Sequence, residues 1–263
     1  MRDDIKEKFK RIVNLKRDLL RDLPRLSKGK RRIKKGVYLG KKVILEPNVF
    51  FDTKGGDIVI DQGSKIKAHA VLRGPLYIGK SSIINSFTEI SGSKIGDVCR
   101  IGGEISGCVV ESYSNKNHQG FIGGSYVGSW VNLGGGTSIS NMKNTYGKIK
   151  MRGQDTGLEH LGAIIGDYVK TSINTSIFCG KVIGQGAHLY GIISEDVPAF
   201  TSYFSGQMFE IPLKVSMEIE KRMMGRREVV FDKKEKEKIR KLFKDTAQDR
   251  KVVKVKKGKL KFK

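Results

Sequence analysis

The sequence is short of the residues that staple or bend most folds: three cysteines, five prolines, one tryptophan and four histidines in 263 residues. Cys99, Cys108 and Cys179 show no CxxC spacing and cannot make a full disulfide set, so they read as small buried apolar residues of a reduced compartment. His69, His118, His160 and His188 contain no His-x3-His or His-x4-His pair, the local signature of a zinc site, and no metal is predicted. No stretch approaches the ~18 apolar residues of a spanning helix. The opening MRDDIKEKFKR is acidic in part and has no apolar h-region, so a soluble cytoplasmic protein is expected.

Glycine and positive charge are what the chain has in excess. Thirty-two glycines without low-complexity runs suit an architecture of many tight corners. The net charge of +24 is unevenly placed: residues 1–36 carry 15 Lys and Arg against 5 Asp and Glu, and residues 207–263 carry 20 against 9. The body, 37–206, holds 16 against 13 and is nearly neutral.

Three segments follow. Residues 2 to about 26 place Ile5, Phe9, Ile12, Leu19 and Leu23 at three- and four-residue steps, which predicts an amphipathic helix ended by Pro24. A basic amphipathic helix suits either a membrane surface or the end of a repeat stack; the second reading, a basic helical cap over 1–36, is preferred because stacked coils need a terminal cap. In 37–206 the aliphatic residues Ile60, Ile66, Leu72, Ile78, Ile84 and Ile90 recur every six positions, then Ile95 and Ile101. Small or β-branched residues, Ser64, Ala70, Ser82 and Thr88, stand four further on. A period of six is neither helix nor plain strand and predicts an all-β solenoid, a parallel β-helix of hexapeptides. A loop from about 141 to 161 interrupts the beat, which resumes at Ile165, so one solenoid with an extruded loop is expected. Residues 207–263 are expected to form two helices, 212–224 and 232–247, with Asp232 and Glu235 in capping-box spacing, and a charged tail that could pair as a small hairpin.

The stretch NKNHQGFIGGSYVGSWVNLGGGTSI, residues 115–139, sets His118 ahead of Ile122-Gly123, Val127-Gly128 and Leu133-Gly134. A neutral imidazole on a rigid scaffold is a candidate general base near pH 7. The strings NHQGFIGGSYVGSWVNLGGGTSISN and LGAIIGDYVKTSINTSI resemble the acetyltransferase domain of bifunctional sugar-1-phosphate nucleotidyltransferases, particularly the archaeal-type glucosamine-1-phosphate acetyltransferase branch, over about residues 37–200.

The resemblance implies a left-handed parallel β-helix, a homotrimer with sites between subunits, and acetyl-CoA as donor to an amino-sugar 1-phosphate. It implies His118 as the base, with Asn132 and Asn141 contacting the sugar and the acetyl region. Phe121 stands where that family usually has tyrosine, which puts the acceptor's identity in question. Residues 1–36 cannot hold a nucleotidyltransferase domain and carry no glycine loop followed by lysine. Phe121 leans toward an altered acceptor while Lys148, Lys150 and Arg152 lean back toward a phosphate near the amine, so the acceptor is read as a sugar 1-phosphate first and a nucleotide-linked amino sugar second. Lys148, Lys150 and Arg152 in the loop, and Arg100 ahead of Ile101-Gly102, are phosphate candidates, though a solvated basic loop suits them almost as well. Turns at Gly162-Ala163, Ser172 and Gly191 are where the resemblance would run a pantetheine arm. The backbone N–H groups of Gly134 to Gly136, or the Asn141 amide, would support an oxyanion. A rival reading is a scaffold that binds nucleic acid or anionic membrane through its basic flanks; no aromatic interleaving or nucleic-acid motif accompanies that charge.

Overall fold

In the computed structural model, which describes residues 3–258, the six-residue beat becomes three flat faces wound as one parallel β-helix. Ile60, Ile78 and Ile95 stack on the first face, Ile66, Ile84 and Ile101 on the second, and Leu72, Ile90 and Ile105 on the third. All nine are fully buried, so every aliphatic beat feeds one continuous core. Truncating one of them to alanine typically costs about 2–5 kcal/mol in such a core. The small residues between beats are buried too. Ser64 Oγ donates to Gly79 O at 2.7 Å and Ser82 Oγ to Gly96 O at 2.8 Å, which lets a polar side chain sit inside while tying one coil to the next.

The first face has nine strands, from Arg31–Lys34 to Val182–Ile183, and only its first pairing is antiparallel. The third has eight, from Phe50–Asp52 to Ile192–Ile193. The second runs from Ile44–Leu45 to Asn115–Lys116, crosses Asn132 through single bridges, and continues from Lys170–Thr171 to the hairpin Thr201–Phe204 and Gln207–Glu210. The solenoid therefore ends a few residues beyond the expected 206. The 141–161 loop carries a small hairpin, Lys150–Met151 against Gln154–Asp155.

The N-terminal segment departs from the cap expected for it. It forms two helices, α1 (Asp3–Val13) and α2 (Leu15–Leu26), with Pro24 inside the second. They lie along the first face: α1 rests on Tyr126–Val127 and Ile164–Ile165, α2 on Ile58–Ile60 and Leu76–Ile78. The reason is in the outward residues of that face, since Val59, Val109, Tyr126, Ile164 and Val182 form an apolar stripe that Ile5, Leu15, Leu19 and Leu23 cover. Ile149, Met151 and Leu161 of the loop join the same cluster.

The C-terminal segment forms α3 (Leu213–Gly225), α4 (Lys233–Asp245) and α5 (Ala247–Val252). Asp232 caps α4 by accepting from Glu235 N at 2.8 Å, but Glu235 completes no capping box, because its carboxylate takes the Tyr168 hydroxyl instead. Of the expected terminal hairpin, Lys256 bridges Phe209; residues 259–263 lie outside the described residues. What docks these helices is one corner of the solenoid, where Val98, Tyr113, Trp130 and Tyr168 follow one another in the left-handed region. That conformation is costly for bulky residues. It aims three aromatic side chains outward, and Trp130 and Tyr168 pack with Phe200, Met224 and Ile239.

Candidate active site

Docking α3 on that corner encloses a cavity of about 660 Å³ against the second face. Its lining joins Asn115, Asn117, His118 and Asn132 of the solenoid to Arg222, Met223, Arg226 and Arg227 at the end of α3. Tyr113 and Trp130, stacked at 4.3 Å and 9°, form part of the wall. No Asp or Glu lines it.

His118 sits on the corner between the second and third faces, exposed, beside Gly135. Its turn is held from beneath. Lys116 occupies an inward position, next to Ile101 in a column otherwise aliphatic to this point, and is 2% exposed. Its Nζ donates to the carbonyls of His118 and Gly102, and burial pulls its pKa down to about 8. Gly120 completes the turn; at φ +131° its missing Cβ would lie 2.2 Å from Thr137 O, so only glycine fits. Asn85 Nδ2 donates to Asn117 O and Oδ1 at 2.8 and 2.7 Å, fixing the other side of His118.

Along the second face the outward positions run Arg100, Asn115, Asn132, Lys170, His188. Asn115 Nδ2 donates to Asn132 Oδ1 at 2.6 Å, which leaves the Asn132 amide nitrogen as a donor toward the cavity. Lys170 Nζ meets Glu220 Oε1 of α3 at 2.6 Å in a buried pair. Burial pushes the Lys170 pKa down and the Glu220 pKa up, each offset by attraction to the other, so desolvation is the larger effect on both partners. His188 is driven down to about 4 by burial and then by the Lys170 charge.

Of the expected residues, His118 and Asn132 share the cavity, and Arg100 borders it as the strand neighbour of Asn115. Phe121 and Asn141 meet each other on the third face instead. A Cβ on Gly123 would lie 2.5 Å from the Phe121 ring and 2.6 Å from Asn141 Nδ2. Ser172 and Gly191 lie on the His118 corner in the coils beyond it, since Asn174 N bonds Gly135 O and Ser176 N bonds Gly191 O. Gly162 and Ala163 lie on a different corner, between the third and first faces, and Ala163 is buried in the core.

The loop cations are not brought to His118 within the chain. Lys148 pairs with Glu159 at 2.9 Å, Arg152 with Asp196 at 3.5 Å, and Lys150 is exposed on the hairpin. The cause is the apolar loop residues, which pin the hairpin to the first face. In the glycine turn, Gly134 N already donates to Thr171 Oγ1 and Gly136 N to Gln119 O, which leaves only Gly135 N for an oxyanion. The residues that sequence reasoning missed include Lys116, Lys170, Asn115, Asn117, Tyr113, Trp130 and the three arginines. Lys116 was signalled by a lysine on an aliphatic beat; the arginines had no signal beyond the basic flank. Among the described residues no three His, Cys, Asp or Glu side chains come together as a metal site.

The fold is a hexapeptide β-helix, with one histidine opening into a polar cavity whose lining holds no carboxylate. No family model matches the chain. It is 28% identical over 164 residues to the bifunctional protein GlmU of Bartonella quintana, covering 59% of this chain and 32% of that protein. It is 32% identical over 155 residues to the bifunctional sugar-1-phosphate nucleotidylyltransferase/acetyltransferase of Sulfurisphaera tokodaii, covering 54% and 38%. The chain is thus related to these bifunctional proteins over more than half of its own length and spans about a third of theirs. Among solved structures, the UDP-N-acetylglucosamine acyltransferase of Francisella novicida superposes with a TM-score of 0.48 at 16% identity, over 84% of this chain and 86% of that one. The N-acyltransferase AntD of Bacillus cereus, bound to dTDP and coenzyme A, gives 0.33 at 16%, over 71% and 90%.

Proposed function

We propose that the chain is a sugar N-acyltransferase that moves the acetyl group of acetyl-CoA to the amine of an amino-sugar 1-phosphate, with His118 as general base. The carrying observation is the opening of His118 into a cavity lined by asparagine amides and cations without a carboxylate. The relatedness to bifunctional nucleotidylyltransferase/acetyltransferases supports the same reading. His118 takes a proton from the substrate ammonium, and the freed amine attacks the thioester carbonyl. Gly135 N–H supports the oxyanion; as the tetrahedral intermediate collapses the C–S bond breaks, the nitrogen gives up its second proton, and the CoA sulfur takes that proton and leaves as the thiol. His118 is exposed, while Phe121 and Asn141 stand one face away. This suits a site completed by a second copy, and we propose a homotrimer, to be checked by sedimentation; a monomer mass at micromolar concentration counts against it.

A nucleotide-linked amino sugar is the second reading, favoured by the flat Tyr113–Trp130 wall, a surface on which a base could lie. The deciding test is thiol release from acetyl-CoA with glucosamine 1-phosphate, galactosamine 1-phosphate, uridine-diphosphate amino sugars and free amino sugars. Turnover of none of them while acetyl-CoA binds refutes the acceptor. Failure of acetyl-CoA to bind leaves the polyanion-binding scaffold as the reading.

A further inference from the structure

Elsewhere in this chain, arginines that lie against the fold are paired with carboxylates. Arg73 is held by Asp52 and Glu89, Arg250 by Glu210, Arg11 by Glu111 and Arg152 by Asp196. The end of α3 breaks that habit. Arg222, Arg226 and Arg227 line the His118 cavity, and none of them meets a carboxylate among the described residues. The fourth cation of the lining, Lys170, is already neutralised by Glu220. Arg100 stands next to them with only backbone partners, donating to Ser81 O at 3.4 Å and Cys99 O at 3.5 Å. Arg227 is half-buried, and its pKa is lowered first by burial and then by the Arg100 charge. Like charges gathered at the mouth of a cavity without a counter-ion are unfavourable until an anion enters.

The guanidinium fork matches the oxygens of a phosphate in pairs, and a phosphate ester offers enough acceptors for several forks at once. A lone carboxylate would leave two of the three unsatisfied. We propose that Arg222, Arg226 and Arg227 form the subsite for the phosphate ester of a reactant held in the His118 cavity. The C-terminal helix, and not the 148–152 loop, then reads the phosphate. The inference rests on the acyltransferase reading only in taking that cavity to hold a reactant. Both the acceptor and CoA carry phosphate esters, and the test separates them.

Calorimetric titration of the full chain with glucosamine 1-phosphate, uridine-diphosphate glucosamine, glucosamine and CoA is compared for wild type, Arg222→Gln and the double variant R226Q/R227Q. These side chains are exposed or half-buried, so melting temperatures serve as the check on folding. The expected result is a loss of at least about tenfold in affinity for a phosphorylated acceptor, with glucosamine unaffected. Arg227→Lys should not restore it, and K148Q/K150Q should change nothing. A loss confined to CoA assigns the same subsite to the donor. The proposal is overturned if every phosphate-bearing probe binds the variants within twofold of wild type, or if wild type binds none of them better than glucosamine. Thiol release separates the two readings. Arginine-dependent binding without turnover removes the enzyme reading and keeps the subsite; turnover with unchanged binding does the reverse.

Discussion

His118 has a free ring, a turn fixed on both sides and a cavity in front of it. His118→Ala is expected to lower thiol release by roughly 10²-fold or more, the usual scale for removing a general base, without altering the melting temperature. Near-full activity in that variant would remove the role. Beneath it, Lys116 gives a prediction of another kind. Its pKa is near 8 in the folded chain against an ordinary 10.5. Between these values the unfolded chain holds a proton that the folded chain has released, so this group adds stability as pH rises from 8 toward 10. Melts of wild type and Lys116→Met across that window should diverge progressively in favour of wild type; parallel curves would show that the amine does not titrate there. His118 was legible in the sequence because its surroundings are local, the beat and the glycines following it within a few residues. Lys116 was legible only in principle. A lysine on an aliphatic beat reads as an outward slip until the ladder shows it stacked on Ile101.

Among elements, α3 decides whether the cavity exists. Its hold on the solenoid includes the Lys170–Glu220 pair, with Glu220 Oε2 buried and without a partner. Removing one member of such a pair strands the other charge. Glu220→Gln is expected to cost about 3–5 kcal/mol, read as a lower urea midpoint, and to weaken binding of phosphorylated probes as α3 loosens. K170M/E220L should recover most of the stability; if Glu220→Gln alone is neutral, the pair is not what docks the helix. The helices were readable from their periodicity and from Asp232, and α3 and α4 end close to where they were expected, but the break at Asn14 and the short α5 were not expected. Where they dock was not readable. The corner aromatics Tyr113, Trp130 and Tyr168 lie far from 213–252 in sequence, and nothing in a helical period says which surface it will meet. The lysines of the loop misled for a related reason: nearness to the His118 segment in sequence became separation across the solenoid once Ile149 and Met151 were buried on the first face.

For the whole molecule, the basic flanks turn out to be bound to the body as helices, with α1 and α2 forming a strap. Removing residues 1–26 should uncover Val59, Val109, Tyr126, Ile164 and Val182, lower the melting temperature and promote aggregation. A truncated chain that melts as wild type and stays dispersed would deny the strap any role. The same strap bears on how this protein could have changed length. A stack in which each coil touches only its neighbours can gain or lose a coil by duplication or deletion with little penalty elsewhere. Here α2 rests on Ile58–Ile60 and Leu76–Ile78 while α1 rests on Tyr126–Val127 and Ile164–Ile165, six consecutive strands of the first face from end to end. Those strands cover about 24 Å at the usual spacing, and the two helices, broken at Asn14, are about 16 and 18 Å long. An inserted coil would shift one set of landing residues by about 4.8 Å along the stack, so the apolar side chains of α1 and α2 are matched in register to the number of coils beneath them.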